Sequence, residues 1–68
     1  MTIADAIIEC VRELQTIHGR VLPWMVADWA NDFYLVRFSV RTARRYMARL
    51  AEDDVLVRVG QRKGYYVQ

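Results

Sequence analysis

The most informative part of this 68-residue sequence is residues 38–50, FSVRTARRYMARL. Ser39 is a preferred helix N-cap, and Phe38 before it suits the hydrophobic staple that fixes how the chain enters a helix. Apolar residues then recur at three- and four-residue steps, which predicts an amphipathic helix from about residue 39 to residue 53. The predicted buried stripe of this helix consists of Ala43, Tyr46, Met47 and Leu50.

The other side of this predicted helix is basic. It consists of Arg41, Thr42, Arg44, Arg45 and Arg49, with Ala48 among them. Arginine presents a planar set of donors that suits phosphates and the guanine edge, whereas lysine is a point charge. The pattern therefore favours contact with a polyanion, although charge alone would also fit a solvated surface.

A β-hairpin is predicted directly after this helix. The sequence has a β-branched run at residues 55–59, a turn bracketed by glycines at 60–64, and a second strand-like run at 65–67. A two-stranded hairpin is not stable alone, so this one is expected to pack on the helices. Because the turn contains Arg62 and Lys63, its tip is basic.

Two further helices are predicted before residue 38. The first runs from Ile3 to Ile17, with Thr2 and Asp5 placed as a capping box. Its expected apolar face consists of Ile3, Ile7, Cys10, Val11, Leu14 and Ile17. The second begins at Pro23, a residue favoured at the first helical position, and is predicted to end at residue 30 or 31.

Residues 31–38 allow three interpretations. An Asn-Asp pair that signals a turn precedes an apolar run, FYLV, at residues 33–36. The segment is compatible with an extension of the second helix, with a hydrophobic turn, or with a short strand. Periodicity does not decide between these for so short a run.

The charge is distributed unevenly along the chain. Residues 1–36 contain two basic and five acidic side chains, a net charge of −3, whereas residues 37–68 contain eight basic and three acidic ones, a net charge of +5. This asymmetry suggests one face for a polyanion. The length predicts a single domain over residues 1–68, mainly α with a small β-hairpin.

The composition argues against several functional classes. Cys10 is the single cysteine and His18 the single histidine, so we expect no disulfide, no metal site, no cofactor and no enzyme. The N-terminus has neither a basic region nor a long apolar run, so neither a signal peptide nor a membrane span is expected. A cytoplasmic location is the default expectation.

A set of short motifs between residues 23 and 67 carries a family resemblance. In chain order they are Asp28-Trp29-Ala30, Phe38-Ser39, Thr42 to Met47, Leu50, Val55 to Arg58, and Gly64 to Val67. Together with the order of elements, they resemble a three-helix winged helix-turn-helix DNA-binding domain of the short bacterial or phage regulator type, with a GntR-like wing. Two features depart from that pattern: Asp54 stands where the family often has glycine, and the segment between the second and third helices is longer.

The resemblance implies sequence-specific binding of double-stranded DNA by a transcriptional regulator associated with the nucleoid. The third helix, about residues 39–53, would enter the major groove, and the 60–64 turn would act as a wing on the minor groove or phosphates. The candidate DNA-binding residues are Ser39, Arg41, Thr42, Arg44, Arg45, Arg49, Arg58, Arg62 and Lys63.

Two questions about partners stay open at this point. The alternative function is a winged-helix protein–protein interaction module in a nucleoprotein assembly, since one fold hosts several functions. A single module also buries only about 600–1,000 Å² on DNA, which suggests a weak homodimer or a cooperating protein. Ile8 or the Phe33–Val36 segment would form the contact, unless both simply complete the core.

Overall fold

The computed structural model describes residues 1–60 and 63–68 of the chain. Its elements are α1 (Ile3–His18), α2 (Pro23–Phe33), α3 (Val40–Glu52), β1 (Val57–Arg58) and β2 (Tyr65–Tyr66). The two strands pair antiparallel. The predicted fold class, mainly α with a small β-hairpin, is confirmed. Among the described residues, no helix combines the length and the apolar character needed to cross a membrane.

The start of α1 confirms the predicted capping box. The Thr2 hydroxyl accepts a hydrogen bond from the backbone N–H of Asp5 at 3.1 Å, and the Asp5 carboxylate accepts one from the N–H of Thr2 at 3.4 Å. The helix ends at Gly19, where φ is 79° and the N–H donates to the Gln15 carbonyl. Glycine reaches this conformation without the steric penalty of a Cβ.

The extended-helix interpretation is correct for residues 31–33, so α2 is longer than predicted. Asn31 and Asp32 are exposed, and their polar side chains therefore cost the helix little. After the helix, the N–H groups of Tyr34 and Val36 both donate to the carbonyl of Ala30. The remaining residues up to the cap of α3 are irregular, and within them Leu35 has a φ of 55°.

The core lies where the three helices meet the hairpin. α2 packs against both α1 and α3, and β2 packs against α1. The largest fully buried side chains are Ile7, Cys10, Val11, Val21, Val26, Met47 and Leu56. Burial raises the pKa of the Cys10 thiol to about 11, with a smaller contribution from Glu13 and then Glu9.

Two residues assigned to buried stripes are exposed. Tyr46 is 38% exposed because it lies at the edge of the α3 stripe, about 60° around the helix from Ala43. Ile17 is 64% exposed in the last turn of α1. Ile8, by contrast, is half-buried and packs against the core, so little of its side chain is exposed.

The hairpin is anchored to the helical part by two contacts that the sequence did not predict. Val21 and Tyr65 form a reciprocal pair of backbone hydrogen bonds of 2.8 and 2.9 Å, which adds a bridge on the outer side of β2. The Gln15 amide both donates to the Val67 carbonyl and accepts from its N–H, at 3.0 and 2.7 Å. These bonds fix the hairpin relative to α1 and the α1–α2 connection.

Candidate nucleic-acid interface

The orientation of α3 is set by its buried face. Ala43 and Met47 are fully buried and Leu50 is 9% exposed. Residues four apart share a side of a helix, so Arg41 and Arg45 form a stripe on the side away from the core. Both are exposed, as are the other two arginines of α3. The helix therefore presents four cationic side chains, and Glu52 is its one acid.

The first turn of α3 is held by its predicted cap. The Ser39 hydroxyl accepts from the backbone N–H of Thr42 at 3.0 Å and donates to the Thr42 hydroxyl at 3.1 Å. Ser39 is thus engaged in capping, whereas the Thr42 hydroxyl keeps its own proton to donate outward. Of these two predicted contact residues, Thr42 is the better placed to donate a hydrogen bond to a ligand.

A groove of about 790 Å³ separates α3 from the hairpin and the start of α2. Arg44 and Arg58 line it from opposite elements, together with Trp24, which is 54% exposed. The remaining lining residues are Leu22, Pro23, Val40, Ala48, Gly60, Gly64 and Tyr65. The groove is therefore mainly apolar at its base, with a cation on each side.

Arg58 is held in place by the hairpin itself. Its guanidinium donates to the Tyr65 hydroxyl at 3.2 Å and lies 5.5 Å from the centroid of the same ring. Tyr65 in turn is 9% exposed and is anchored by Val21. These contacts restrict where the Arg58 side chain can go. Glu52 and Asp54 line a cavity with it, but among the described residues Arg58 forms no ion pair.

Arg49 lies at the opposite end of the basic helix surface. Eight residues separate it from Arg41, which corresponds to about 12 Å along the helix axis. Its Nε is 3.8 Å from an Asp53 carboxylate oxygen, and the two side chains are 76% and 58% exposed. An exposed pair at this distance contributes little stability, so Arg49 can leave it for a phosphate.

The hairpin tip is described in part. Lys63 is exposed, and Gly60 and Gly64 have φ values of 64° and 103°. A Cβ on Gly64 would lie 2.9 Å from the Val21 carbonyl oxygen, so the turn requires glycine at that position. Arg62, assigned to the tip from the sequence, lies outside the described residues.

The structure thus brings together Arg44, Arg58 and the first turns of α3, and it adds a residue that sequence reasoning did not assign. Trp24 lies about 120° around α2 from the buried Ala30, and this spacing could have identified it as exposed. Within residues 1–60 and 63–68, no group of three His, Cys, Asp or Glu side chains is arranged to hold a metal ion.

Comparison of the chain with protein-family models, with curated proteins and with solved structures gives no match.

Proposed function

We propose that this chain binds double-stranded DNA, with α3 in the major groove and the 60–64 turn on the adjacent minor groove or its phosphates. The observation that supports the proposal best is the exposed arginine surface of α3, whose opposite face is buried. The major groove of B-DNA admits an α-helix, and arginine can pair with guanine O6 and N7 there. In this arrangement the domain is a winged helix-turn-helix.

The proposed contacts divide into base reading and positioning. Arg41 extends from the outward stripe near the start of α3, and Arg44 lies beside the groove next to the hairpin, so we assign base contacts to these two. Phosphate contacts are assigned to Thr42, with Ser39 at the positively polarised start of the helix, and to Arg45, Arg49, Arg58, Arg62 and Lys63.

Two double variants test the proposal. Arg41→Ala with Arg45→Ala removes two cations from the proposed interface, whereas Arg12→Ala with Arg20→Ala removes two cations outside it. Fluorescence anisotropy should show a loss of affinity for the first variant alone. The loss should be large on a site selected from a random library and smaller on a random duplex, where only the Arg45 phosphate contact is removed. Equal losses for the two variants would contradict the proposed interface.

The alternative is a module that binds protein within a nucleoprotein assembly. The exposed apolar side chains of Phe33 and Leu35 favour it, because a soluble domain has no folding reason to expose them. An Arg41/Arg45 variant that is folded and binds DNA normally would favour this alternative. The two functions also combine in one molecule, since the apolar residues and the arginines lie on different elements.

DNA binding by a domain of this size implies a role as a transcriptional regulator in the cytoplasm, associated with the nucleoid. One module has a small footprint on DNA, about 600–1,000 Å². We infer that a cooperating protein supplies the remaining affinity. A weak homodimer through the Phe33–Val36 segment is the competing arrangement.

A further inference from the structure

A cluster of apolar side chains lies where α1 and α2 end, away from the arginine surface. Ile17, Trp29, Phe33 and Tyr34 line one shallow groove together with Glu13, and Leu35 follows Tyr34 in the chain. We call these six residues the α1–α2 patch. No residue of α3 or of the described part of the hairpin lines the groove.

Three members of the patch are left uncovered by the fold. Ile17 and Phe33 are each 64% exposed, and Leu35 is 89% exposed. The Trp29 and Phe33 rings have centroids 4.4 Å apart and are tilted by 41°. The two rings form one aromatic surface, and removing it from water would be favourable.

Leu35 is unfavourable in the free chain for two separate reasons. Its φ of 55° lies in the left-handed region, which is sterically unfavourable for an L-residue with a Cβ. Its side chain also gains almost no packing in return, because it is nearly fully exposed. A strained and exposed leucine points to a contact outside the chain.

Glu13 is held at the centre of the patch by two aromatic donors. The Trp29 indole N–H donates to one carboxylate oxygen at 2.8 Å, and the Tyr34 hydroxyl donates to the other at 2.6 Å. These hydrogen bonds, with that of Tyr34 the larger, lower the pKa of Glu13. An ionised carboxylate accepts about four hydrogen bonds, so capacity remains for a donor that approaches from solvent.

The charges around the patch are mainly acidic. Asp28 and Asp32 occupy the stripe of α2 next to Trp29 and Phe33, and Glu9 lies one turn before Glu13 on α1. Arg12 also lines the groove and pairs with Glu9 at 2.5 Å, so the acidic surplus rests on Glu13, Asp28 and Asp32. The rim therefore attracts a basic ligand and repels both DNA and an identical acidic patch on a second copy.

We propose that the α1–α2 patch docks a basic, apolar segment of a partner protein, with an Arg or Lys of that segment on Glu13. The cation would also lie near the Trp29 and Phe33 rings, where cation–π attraction adds to the ion pair. Apolar side chains of the segment would cover Phe33 and Leu35. This proposal does not depend on DNA binding by α3.

The size of the patch limits the complex to a weak one. The largest apolar patch of a typical monomer measures about 300–600 Å², whereas a stable interface buries about 800 Å² on each partner. The segment is therefore expected to bind transiently unless a second site, such as shared DNA, holds the two proteins together.

The direct test is a titration of the free protein, without DNA, with two synthetic amphipathic peptides. One contains leucine and arginine, and the other has every arginine replaced by glutamate. Amide resonances of Ile17, Phe33 and Leu35 and the indole resonance of Trp29 should shift with the arginine peptide and stay unchanged with the glutamate peptide. Equal binding of both peptides, or binding that shifts other surfaces, would overturn the proposal.

Matched variants locate the binding on the patch. Glu13→Gln and Leu35→Asn should each weaken the arginine peptide by at least about five-fold, and Glu52→Gln, the same charge change on α3, should leave affinity unchanged. Asn tolerates the left-handed conformation, so the Leu35 variant is expected to fold. Equal loss in all three variants would overturn the proposal, as would resonance shifts that depend on protein concentration without peptide, because a second copy would then occupy the patch.

Discussion

The left-handed backbone conformation of Asp54 can be tested by a single substitution. Its φ is 62°, and the N–H groups of Val55 and Leu56 donate to the Leu50 carbonyl as the chain turns away from α3. Glycine adopts this conformation freely, and it also removes a carboxylate from the negative end of the helix dipole. Asp54→Gly should therefore raise the free energy of unfolding by about 0.5–1 kcal/mol in urea denaturation.

Asp53 provides the control for that substitution. Its φ is −87°, which any residue adopts, so Asp53→Gly gains nothing from the backbone. We expect this variant to be no more stable than the parent. Equal stabilisation by both substitutions would show that charge removal, and not the left-handed conformation, determines the effect.

Arg41 and Arg44 test the division between base reading and positioning. Alanine at either position should weaken binding to the selected site by about 1–3 kcal/mol and have little effect on random DNA. Arg62→Ala should weaken both by similar amounts, unless the wing contacts a narrow A·T tract. If all three variants lose equally on both duplexes, the assignment of the base contacts is wrong.

The Glu13 carboxylate makes a contribution to the free energy of unfolding that depends on pH. Its pKa is lowered in the folded chain by the Tyr34 and Trp29 hydrogen bonds, so the ionised form stabilises the fold at neutral pH. That contribution should be lost as the pH falls below the ordinary glutamate pKa of about 4.3 toward the lower folded value. Urea denaturation between pH 5 and pH 2 should therefore show a smaller decrease in the free energy of unfolding for Glu13→Gln than for Glu52→Gln, which keeps Glu13.

The same hydrogen bond also affects the pKa of Tyr34, and with it the stability of the fold at high pH. Donation to Glu13 raises the Tyr34 pKa to about 12, because the hydrogen bond requires the phenol proton. The folded chain therefore keeps this proton longer than the unfolded chain, and the stabilisation is present below the ordinary tyrosine pKa of about 10. This stabilisation is lost as the pH rises through the Tyr34 pKa of the folded chain. Ultraviolet titration of the Glu13→Gln variant should show a lower Tyr34 pKa than in the parent.

At the level of the hairpin, alanine substitutions at its two turn glycines distinguish backbone strain from a steric clash. Gly64→Ala combines a φ of 103° with a Cβ 2.9 Å from the Val21 carbonyl oxygen, so the hairpin cannot keep its contact with Val21. We expect a loss of stability of about 2 kcal/mol or more. Gly60→Ala meets nothing closer than the flexible Lys63 side chain at 3.5 Å and should cost about 1 kcal/mol. The reverse order in thermal denaturation would contradict this account of the turn.

The sequence predicted the elements well where local chemistry is sufficient. The caps Thr2 and Ser39 and the proline at position 23 each define a helix start, and the structure confirms all three. The end of α2 stayed open because residues 31 and 32 favour a turn in isolation, whereas in the structure the helix continues to Phe33 although residues 31–33 are all exposed. Tyr46 and Ile17 are exposed because they lie at the edge and at the end of their apolar stripes, and the spacing of apolar residues does not show where the packed surface stops.

The candidate interface was predicted less completely than the fold. The spacing of the arginines within α3 was enough to predict which side of the helix they occupy, and Arg41 and Arg45 are exposed as expected. The pairing of Arg44 with Arg58 across a groove, and the contribution of Trp24, depend on where the hairpin docks. That docking is set by Val21 and Gln15, whose partners are distant in the chain.

At the scale of the whole molecule, the charge asymmetry of the sequence corresponds to two surfaces on different elements. The arginine surface belongs to α3 and the hairpin, whereas the α1–α2 patch has an acidic rim. A DNA complex would add negative charge near the first surface and leave the second available. If both proposals hold, this separation would allow the domain to bind DNA and a basic protein segment at the same time. The Arg41/Arg45 variant should then lose only DNA binding, and the Glu13 variant only segment binding.

The salt dependence of DNA binding is the decisive measurement for the proposed arginine interface. About five to seven phosphate contacts are expected, from the five basic residues assigned above, Arg45, Arg49, Arg58, Arg62 and Lys63, and from Arg37, which is exposed two residues before the Ser39 cap. Each phosphate neutralised on B-DNA contributes about −0.9 to the slope of log K against log salt concentration. Anisotropy titrations on a random duplex across a salt series should therefore give a slope near −5 to −6, and a slope shallower than about −2 would contradict DNA binding by this surface.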